Sequence, residues 1–165
     1  MDFINNTNNW VKGEIFEGTV IAIFGILTLV SAFLFWKFGE TPHAKALTIP
    51  TVILGVLLLS MGVSMYSSNQ KRFKEYQNQY QENPSGFIKQ EKERVEGFQY
   101  MYVISKVLAT VAFAFAVFAF WFTKSAGFQS VALIFLMLGV SVLVIDYFSE
   151  ERASIYYAEI IKVLK

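Results

Sequence analysis

Four blocks of the chain are free of charged residues and rich in apolar ones. They run from Gly18 to Trp36, Ala46 to Gln70, Val107 to Thr123 and Ser125 to Ile145. A helix needs about 20 largely apolar residues to cross the hydrocarbon core of a bilayer, and each block reaches or nearly reaches that length. The pattern therefore predicts an all-α, four-transmembrane-helix bundle. The predicted spans are residues 18–36, 46–66, 101–123 and 127–148.

The segment between the second and third blocks has a helical pattern. Residues that are mostly apolar or small follow alternating steps of four and three from Gly55 to Tyr80, and again from Ile88 to Ala119. A sustained seven-residue repeat is typical of helices packed along one seam. The turn-forming residues Asn-Pro-Ser-Gly at 83–86 separate the two repeats. We therefore predict that spans two and three extend into the cytoplasm as an antiparallel helical hairpin over residues 67–100.

The two repeats also predict which residues face each other. In an antiparallel pair the numbers of facing positions have a nearly constant sum, which would place Gly55 against Ala112 and Gly62 against Ser105. Small residues facing small residues allow the close backbone approach on which membrane helices depend. We therefore expect spans two and three to contact each other directly along their whole length.

Both ends of the chain mix apolar and polar residues. Residues 1–17 combine Phe3 and Trp10 with Asn and Thr, a composition typical of an amphipathic helix lying in the membrane interface. Residues 149–165 continue the apolar stripe of span four and predict an amphipathic C-terminal helix beside the hairpin. The whole chain, 1–165, is interpreted as one integral membrane domain.

Basic residues are divided unequally between the two sides of the predicted bundle. Lys37, Lys45 and Lys124 lie on the side of the short turns, and the other eleven of the fourteen Lys and Arg lie on the side of the termini and the hairpin. Because basic loops stay in the cytoplasm, we expect both termini on the cytoplasmic side. We expect the membrane to be a bacterial cytoplasmic membrane. The formal charge of +1 provides no overall field for nucleic acid.

Two charged residues, Lys106 and Asp146, fall within the predicted spans. They would lie at one depth in the third and fourth spans, and Glu17, Tyr66 and Tyr102 fall near the same level. These five residues form a candidate intramembrane polar layer. Lys106 and Asp146 could be an ion pair that joins the spans, a site for a cation, a proton or an anionic headgroup, or two charges that reach interfacial water.

The remaining chemistry-bearing residues indicate no reaction. The chain has no cysteine, and its one histidine, His43, lies in a predicted outer turn. The charged run at 90–94 is typical of a solvated helix face. Phosphate-binding glycine loops, metal-ligand spacings and nucleophile elbows are not found in the sequence. We therefore expect no catalytic residue, metal or cofactor.

These observations favour a non-enzymatic membrane protein that acts as an interaction or scaffold subunit. The hairpin and the C-terminal helix would supply the surface, either for self-association or for a partner membrane protein within the lipid bilayer, and nucleic acid is not an expected partner. A homo-oligomeric channel or small transporter, with the polar layer at its inner mouth, is the alternative, although the spans lack the broken helices typical of transporters. A membrane enzyme on a lipophilic substrate is a third hypothesis.

Overall fold

The computed structural model describes residues 3–165, and 94% of these residues are helical. The helices are α1 (Phe3–Phe38), α2 (Pro42–Glu82), α3 (Pro84–Phe98), α4 (Tyr100–Phe122) and α5 (Ala126–Leu164). The helices α1, α2 and α5, together with the α3–α4 rod, make four that are long and apolar enough to cross a membrane. The prediction of an all-helical chain with four such helices is confirmed.

The helices are much longer than a bilayer requires. The α2 helix has 41 residues, which corresponds to about 60 Å, whereas the hydrocarbon core is about 30 Å thick. Only part of each helix is free of charge, so the rest must lie beyond the apolar layer. The fold therefore has a membrane part and a second part at the end of the molecule that carries both termini.

Local sequence explains where α2 begins and ends. Thr41 caps its first turn by accepting a hydrogen bond from the amide of Ala44 (3.2 Å), and Pro42 fits the first helical position. Asn83 then separates α2 from α3, and its side-chain oxygen accepts from the amide of Gly86 (3.0 Å). Between α3 and α4 the backbone of Gln99 stays in the right-handed helical region, so these two helices form a nearly continuous rod.

In the membrane part, α1 and α2 approach each other most closely. A Cβ atom on Gly62 would lie 2.4 Å from the main-chain nitrogen of Ala22, and one on Gly25 would lie 2.5 Å from that of Leu59. Only a residue without a side chain fits at either position. The glycine faces of the two helices therefore allow direct contact between their backbones.

The predicted contact between spans two and three is wrong. Within residues 3–165, α2 and α4 make no close contact, and Gly55 lies against Leu29 of α1 instead of Ala112. The alanine face of α4 packs on α5, where Ala116 and Ala132 are buried in one cluster. The physical reason is that the glycines of α2 find matching glycines on α1, which permit a closer approach than the alanines of α4.

Beyond the charge-free segments, four helix segments share one apolar core, which we call the end bundle. They are the beginning of α1, the end of α2, all of α3 and the end of α5. The buried residues of this core are Phe3, Trp10, Val11, Tyr76, Phe87, Ile88, Val95, Tyr156 and Ile160. The segment 67–100 is therefore covered by α1 and α5 and is not an isolated two-helix hairpin.

The beginning of the chain differs from its prediction. Residues 1 and 2 lie outside the described residues, and residues 3–17 are the first turns of α1, with no break before the span. Phe3 and Trp10 are buried against the protein rather than exposed to an interface. The reason is that these aromatic side chains find partners inside the end bundle, where Trp10 stacks on Tyr156. Residues 149–164 likewise continue α5 into the end bundle.

Candidate functional site

Polar side chains of α1, α4 and α5 meet near residues 146–152, which lie within about two turns of α5. We refer to these contacts as the polar layer. It consists of four sets of contacts: Asp146 with Ser105, Tyr102 with Ser149, Lys106 with Glu150, and Arg152 with Glu14 and Glu17. Four of the five residues singled out in the sequence belong to it.

The ion pair considered between Lys106 and Asp146 is not formed. The Nζ atom of Lys106 lies 2.6 Å from a carboxylate oxygen of Glu150, and Asp146 accepts a hydrogen bond from the hydroxyl of Ser105. Glu150 follows Asp146 by one helical turn and lies nearer the end bundle. The long lysine side chain extends in that direction, which brings its charge towards water.

Tyr66 lies apart from the polar layer. Its side chain is 43% exposed on the outer surface of α2, and its hydroxyl accepts from Gln70 at 3.4 Å. The sequence placed Tyr66 near the level of Tyr102, and the predicted contact between spans two and three would have brought the two side chains together. Because that contact does not exist, the two tyrosines lie on different helix pairs.

Arg152 is the centre of the most buried part of the polar layer. Its Nη2 atom lies 3.0 Å from Glu14 and also pairs with Glu17. Both carboxylates are buried, and α1 leaves space for the arginine because a Cβ on Gly13 would lie 2.7 Å from Cδ of Arg152. Sequence reasoning did not single out Glu14 or Arg152. The spacing of Glu14 and Glu17 could have pointed to Glu14, since residues three apart share one helix face, whereas the sequence around Arg152 offers no such signal.

Removing the arginine should therefore destabilise the fold. We expect Arg152→Met to lower the free energy of unfolding by about 3 kcal/mol, because two buried carboxylates lose the counter-charge that they share. The measurement is reversible unfolding in mixed micelles. The control is Lys106→Met, which breaks a pair that is half exposed and should cost about 1 kcal/mol or less. Equal losses in the two variants would contradict a buried ionic role for Arg152.

A second polar network lies inside the end bundle. Glu91 is 3% exposed and accepts two hydrogen bonds from Arg94, at 2.8 and 2.7 Å. It also accepts one from the hydroxyl of Tyr156 at 2.9 Å, and Thr7 lies 2.9 Å from the same hydroxyl. The network therefore joins α1, α3 and α5, and the hydroxyl of Tyr156 links Glu91 of α3 to Thr7 of α1.

Aromatic rings enclose this network. The guanidinium of Arg94 lies 4.3 Å from the ring centre of Trp10, and the ring of Tyr156 stacks on Trp10 at 5.5 Å. Burial alone would lower the pKa of Arg94, but the hydrogen bonds and the charge of Glu91 outweigh burial and raise that pKa. The run 90–94, expected to be a solvated helix face, is thus divided, with Glu91 turned inward and Glu93 exposed.

The buried phenol predicts a loss of stability at alkaline pH. Burial, followed by the charge of Glu91, raises the pKa of Tyr156 above its ordinary value of 10.0. The folded chain therefore keeps this proton when the unfolded chain loses it, so the contribution to stability is complete below pH 10 and is lost above it. We expect a decline of about 1.4 kcal/mol per pH unit from this group. Unfolding of Tyr156→Phe measured over the same range should decline less steeply, and identical slopes would contradict the assignment.

Both the polar layer and the Glu91 network hold neighbouring helices together. Arg152, Arg94 and Lys106 each pair with a carboxylate of the same chain, and Asp146 is held by a hydroxyl. Among residues 3–165 no group of three or more His, Cys, Asp or Glu could hold a metal ion. His43, at the opposite end, lies in the first turn of α2 rather than in a loop, and it lies 2.9 Å from Gln129 in the first turn of α5. Comparison with known protein families, curated proteins and solved structures finds no match to this chain.

Proposed function

We propose that this protein is a non-enzymatic membrane subunit whose end bundle binds a partner membrane protein or another copy of the chain. The observation that carries the proposal is the aromatic core of the end bundle, which unites segments of α1, α2, α3 and α5 beyond the charge-free segments. Such a core holds a fixed surface away from the bilayer, which membrane anchoring alone does not require.

The outer surface of the end bundle is polar. Only one face of α2 beyond residue 70 is turned to the core, and the rest carries exposed charged and amide side chains, among them Lys71, Lys74 and Gln77. Lys89 and Glu93 are exposed in the same way on α3. A surface of mixed charges and amides fits the rim of a protein–protein contact better than it fits lipid chains.

Photo-crosslinking in cells tests this proposal. A photoreactive residue at Gln77 or Glu93, both exposed on the end bundle, should yield an adduct of discrete mass. A multiple of 18.8 kDa would identify another copy of the chain, and another discrete mass would identify a partner. The control position is Val117, which is exposed on α4 in the membrane part. Absence of adducts from both end-bundle positions would contradict the proposal.

We further propose that the end bundle lies in the cytoplasm of a bacterial cell, because eleven of the fourteen Lys and Arg lie on its side of the spans. Because the chain has no cysteine, single cysteines report topology directly. A membrane-impermeant maleimide should label Glu40→Cys in intact cells, and Gln81→Cys only after the membrane is permeabilised. Both positions are exposed. The reverse pattern would place both termini outside the cytoplasm.

A homo-oligomeric channel or small transporter is the second candidate, because charge within a membrane often marks an ion path. The pairs formed by Glu17, Lys106 and Asp146 with neighbouring helices support a fastening role instead. Vesicles that contain the purified protein should therefore pass no ions, for the wild type and for Lys106→Ala alike. Ion flux through the wild type that is lost in Lys106→Ala would favour the channel.

A further inference from the structure

An apolar groove follows the contact between α1 and α5 through the membrane part. It consists of three adjoining cavities of about 200, 270 and 270 Å³. Phe24 lines the first two, and Ile21 and Ile145 line both the second and the third. The groove therefore forms one path from the outer half of the span to the polar layer.

The groove exists because each of its two helices packs mainly on another helix. The glycine face of α1 is turned towards α2, and the face of α5 that contains Gly139 packs on Phe113 of α4. Val20 and Val144, which line the groove from α1 and α5, remain 48% and 53% exposed. A hydrocarbon chain can fill this space without displacing a packed side chain.

The inner end of the groove is polar and has unpartnered groups. Glu17 and Arg152 line the third cavity, and a further cavity of about 210 Å³, lined by Arg152 and Trp10, adjoins it in the end bundle. Oε1 of Glu17 is a buried acceptor without a partner. Two N–H groups, Nε of Arg152 and Nε1 of Trp10, are buried donors without partners. Unsatisfied buried groups of both kinds favour a ligand that both donates and accepts.

Charge narrows the choice of ligand. Glu14 and Glu17 face the single guanidinium of Arg152, so this end of the groove has an excess of one negative charge. Glu159, which lines the adjoining cavity, is already paired with Lys162. The excess negative charge would repel an anionic headgroup, whereas an ammonium group in the headgroup would neutralise it.

The depth of the groove matches the dimensions of a lipid. The charge-free block of α1 begins at Gly18 and that of α5 ends at Ile145. The first two cavities lie within these blocks, and the third extends past their inner edge to Glu17 and Arg152. A bilayer lipid has the same arrangement, with its chains in the core and its headgroup at the boundary.

We propose that the α1–α5 groove binds a phospholipid with a zwitterionic primary-amine headgroup. One acyl chain lies in the apolar cavities, the ammonium group donates to Oε1 of Glu17, and a phosphate oxygen accepts from Nε of Arg152, which lies beside Glu17. The site is independent of the protein partner proposed above, and it makes the protein selective for a class of membrane lipid.

Native mass spectrometry of the full-length protein tests this site. The protein is released from micelles that contain phosphatidylethanolamine and phosphatidylglycerol in equal amounts, and we expect one phosphatidylethanolamine to be retained preferentially. Val144→Phe fills the groove at an exposed position and should lower this retention about tenfold. The matched control Val117→Phe, 66% exposed on α4 outside the groove, should retain the lipid as the wild type does.

A second variant tests the headgroup contact. Glu17→Gln keeps a hydrogen-bonding side chain but removes the excess charge, so the preference for phosphatidylethanolamine over phosphatidylglycerol should disappear. Equal retention of the two lipids by the wild type, or equal retention in Val144→Phe and Val117→Phe, would overturn the proposal. Preferential retention of phosphatidylglycerol would also overturn it, because the site would then recognise an anion through Arg152.

Discussion

Glu91→Ala is expected to lower the free energy of unfolding by about 3–5 kcal/mol. Glu91 is buried in the end bundle and accepts hydrogen bonds from Arg94 and from Tyr156. Its loss leaves a guanidinium without its counter-charge between aromatic rings, and a buried hydroxyl without its acceptor. Reversible unfolding in mixed micelles, followed by Trp fluorescence, measures the loss, because Trp10 lies directly over Arg94.

Two variants separate the buried ion pair from a general effect of mutating α3. Glu93→Ala removes an exposed carboxylate from the same helix and should change stability by about 0.5 kcal/mol or less. The double variant Glu91→Met/Arg94→Met should recover much of the loss, since apolar residues can replace a whole buried pair at little cost. A Glu91→Ala variant as stable as Glu93→Ala would show that the network does not hold α3 in place.

Gly62→Leu is expected to have a similarly large effect in the membrane part, with a loss of about 3 kcal/mol or more. The first atom of the new side chain would lie 2.4 Å from the nitrogen of Ala22 and 2.6 Å from the carbonyl oxygen of Gly18. Both are main-chain atoms of α1, so the conflict cannot be relieved by a side-chain rotation. The two helices must separate, and their close backbone contact is lost along several turns.

Gly97→Ala is the matched control for this prediction. A Cβ atom at Gly97 meets nothing within 4 Å, and alanine is the better helix former, so this variant should gain about 1 kcal/mol. Both variants can be compared by thermal unfolding in the same detergent. If Gly62→Leu unfolds at the temperature of the wild type, α1 and α2 do not pack through their glycines.

Sequence periodicity predicted the contact faces of the helices but not their partners. The glycines at 55 and 62 do lie in a helix contact, and so does the alanine face of α4, yet α2 packs on α1 and α4 packs on α5. Every span has a stripe of small residues, so several pairings satisfy the same spacing. The choice among them depends on how closely two particular backbones can approach, and that is a property of both surfaces together.

For the polar residues, too, the sequence predicted some members of the site but not the residues that they contact. Glu17, Lys106 and Asp146 could be singled out because charge is unusual beside an apolar block. Their partners Arg152 and Glu150 could not, because in a polar stretch of sequence a buried charge looks like a solvated one. The burial of Glu91 could not be predicted for the same reason, since its carboxylate is buried only because α1 and α5 pack over α3.

Hydrogen–deuterium exchange of the protein in bilayer nanodiscs tests most directly whether the four helices form one folded unit beyond the membrane. We expect slow exchange throughout residues 67–98, 3–14 and 153–164, with all of these segments exchanging faster together in Glu91→Ala. Exchange of residues 67–98 at the rate of an unfolded chain, or protection of that segment that is independent of α1 and α5, would contradict the end bundle and the partner surface built on it.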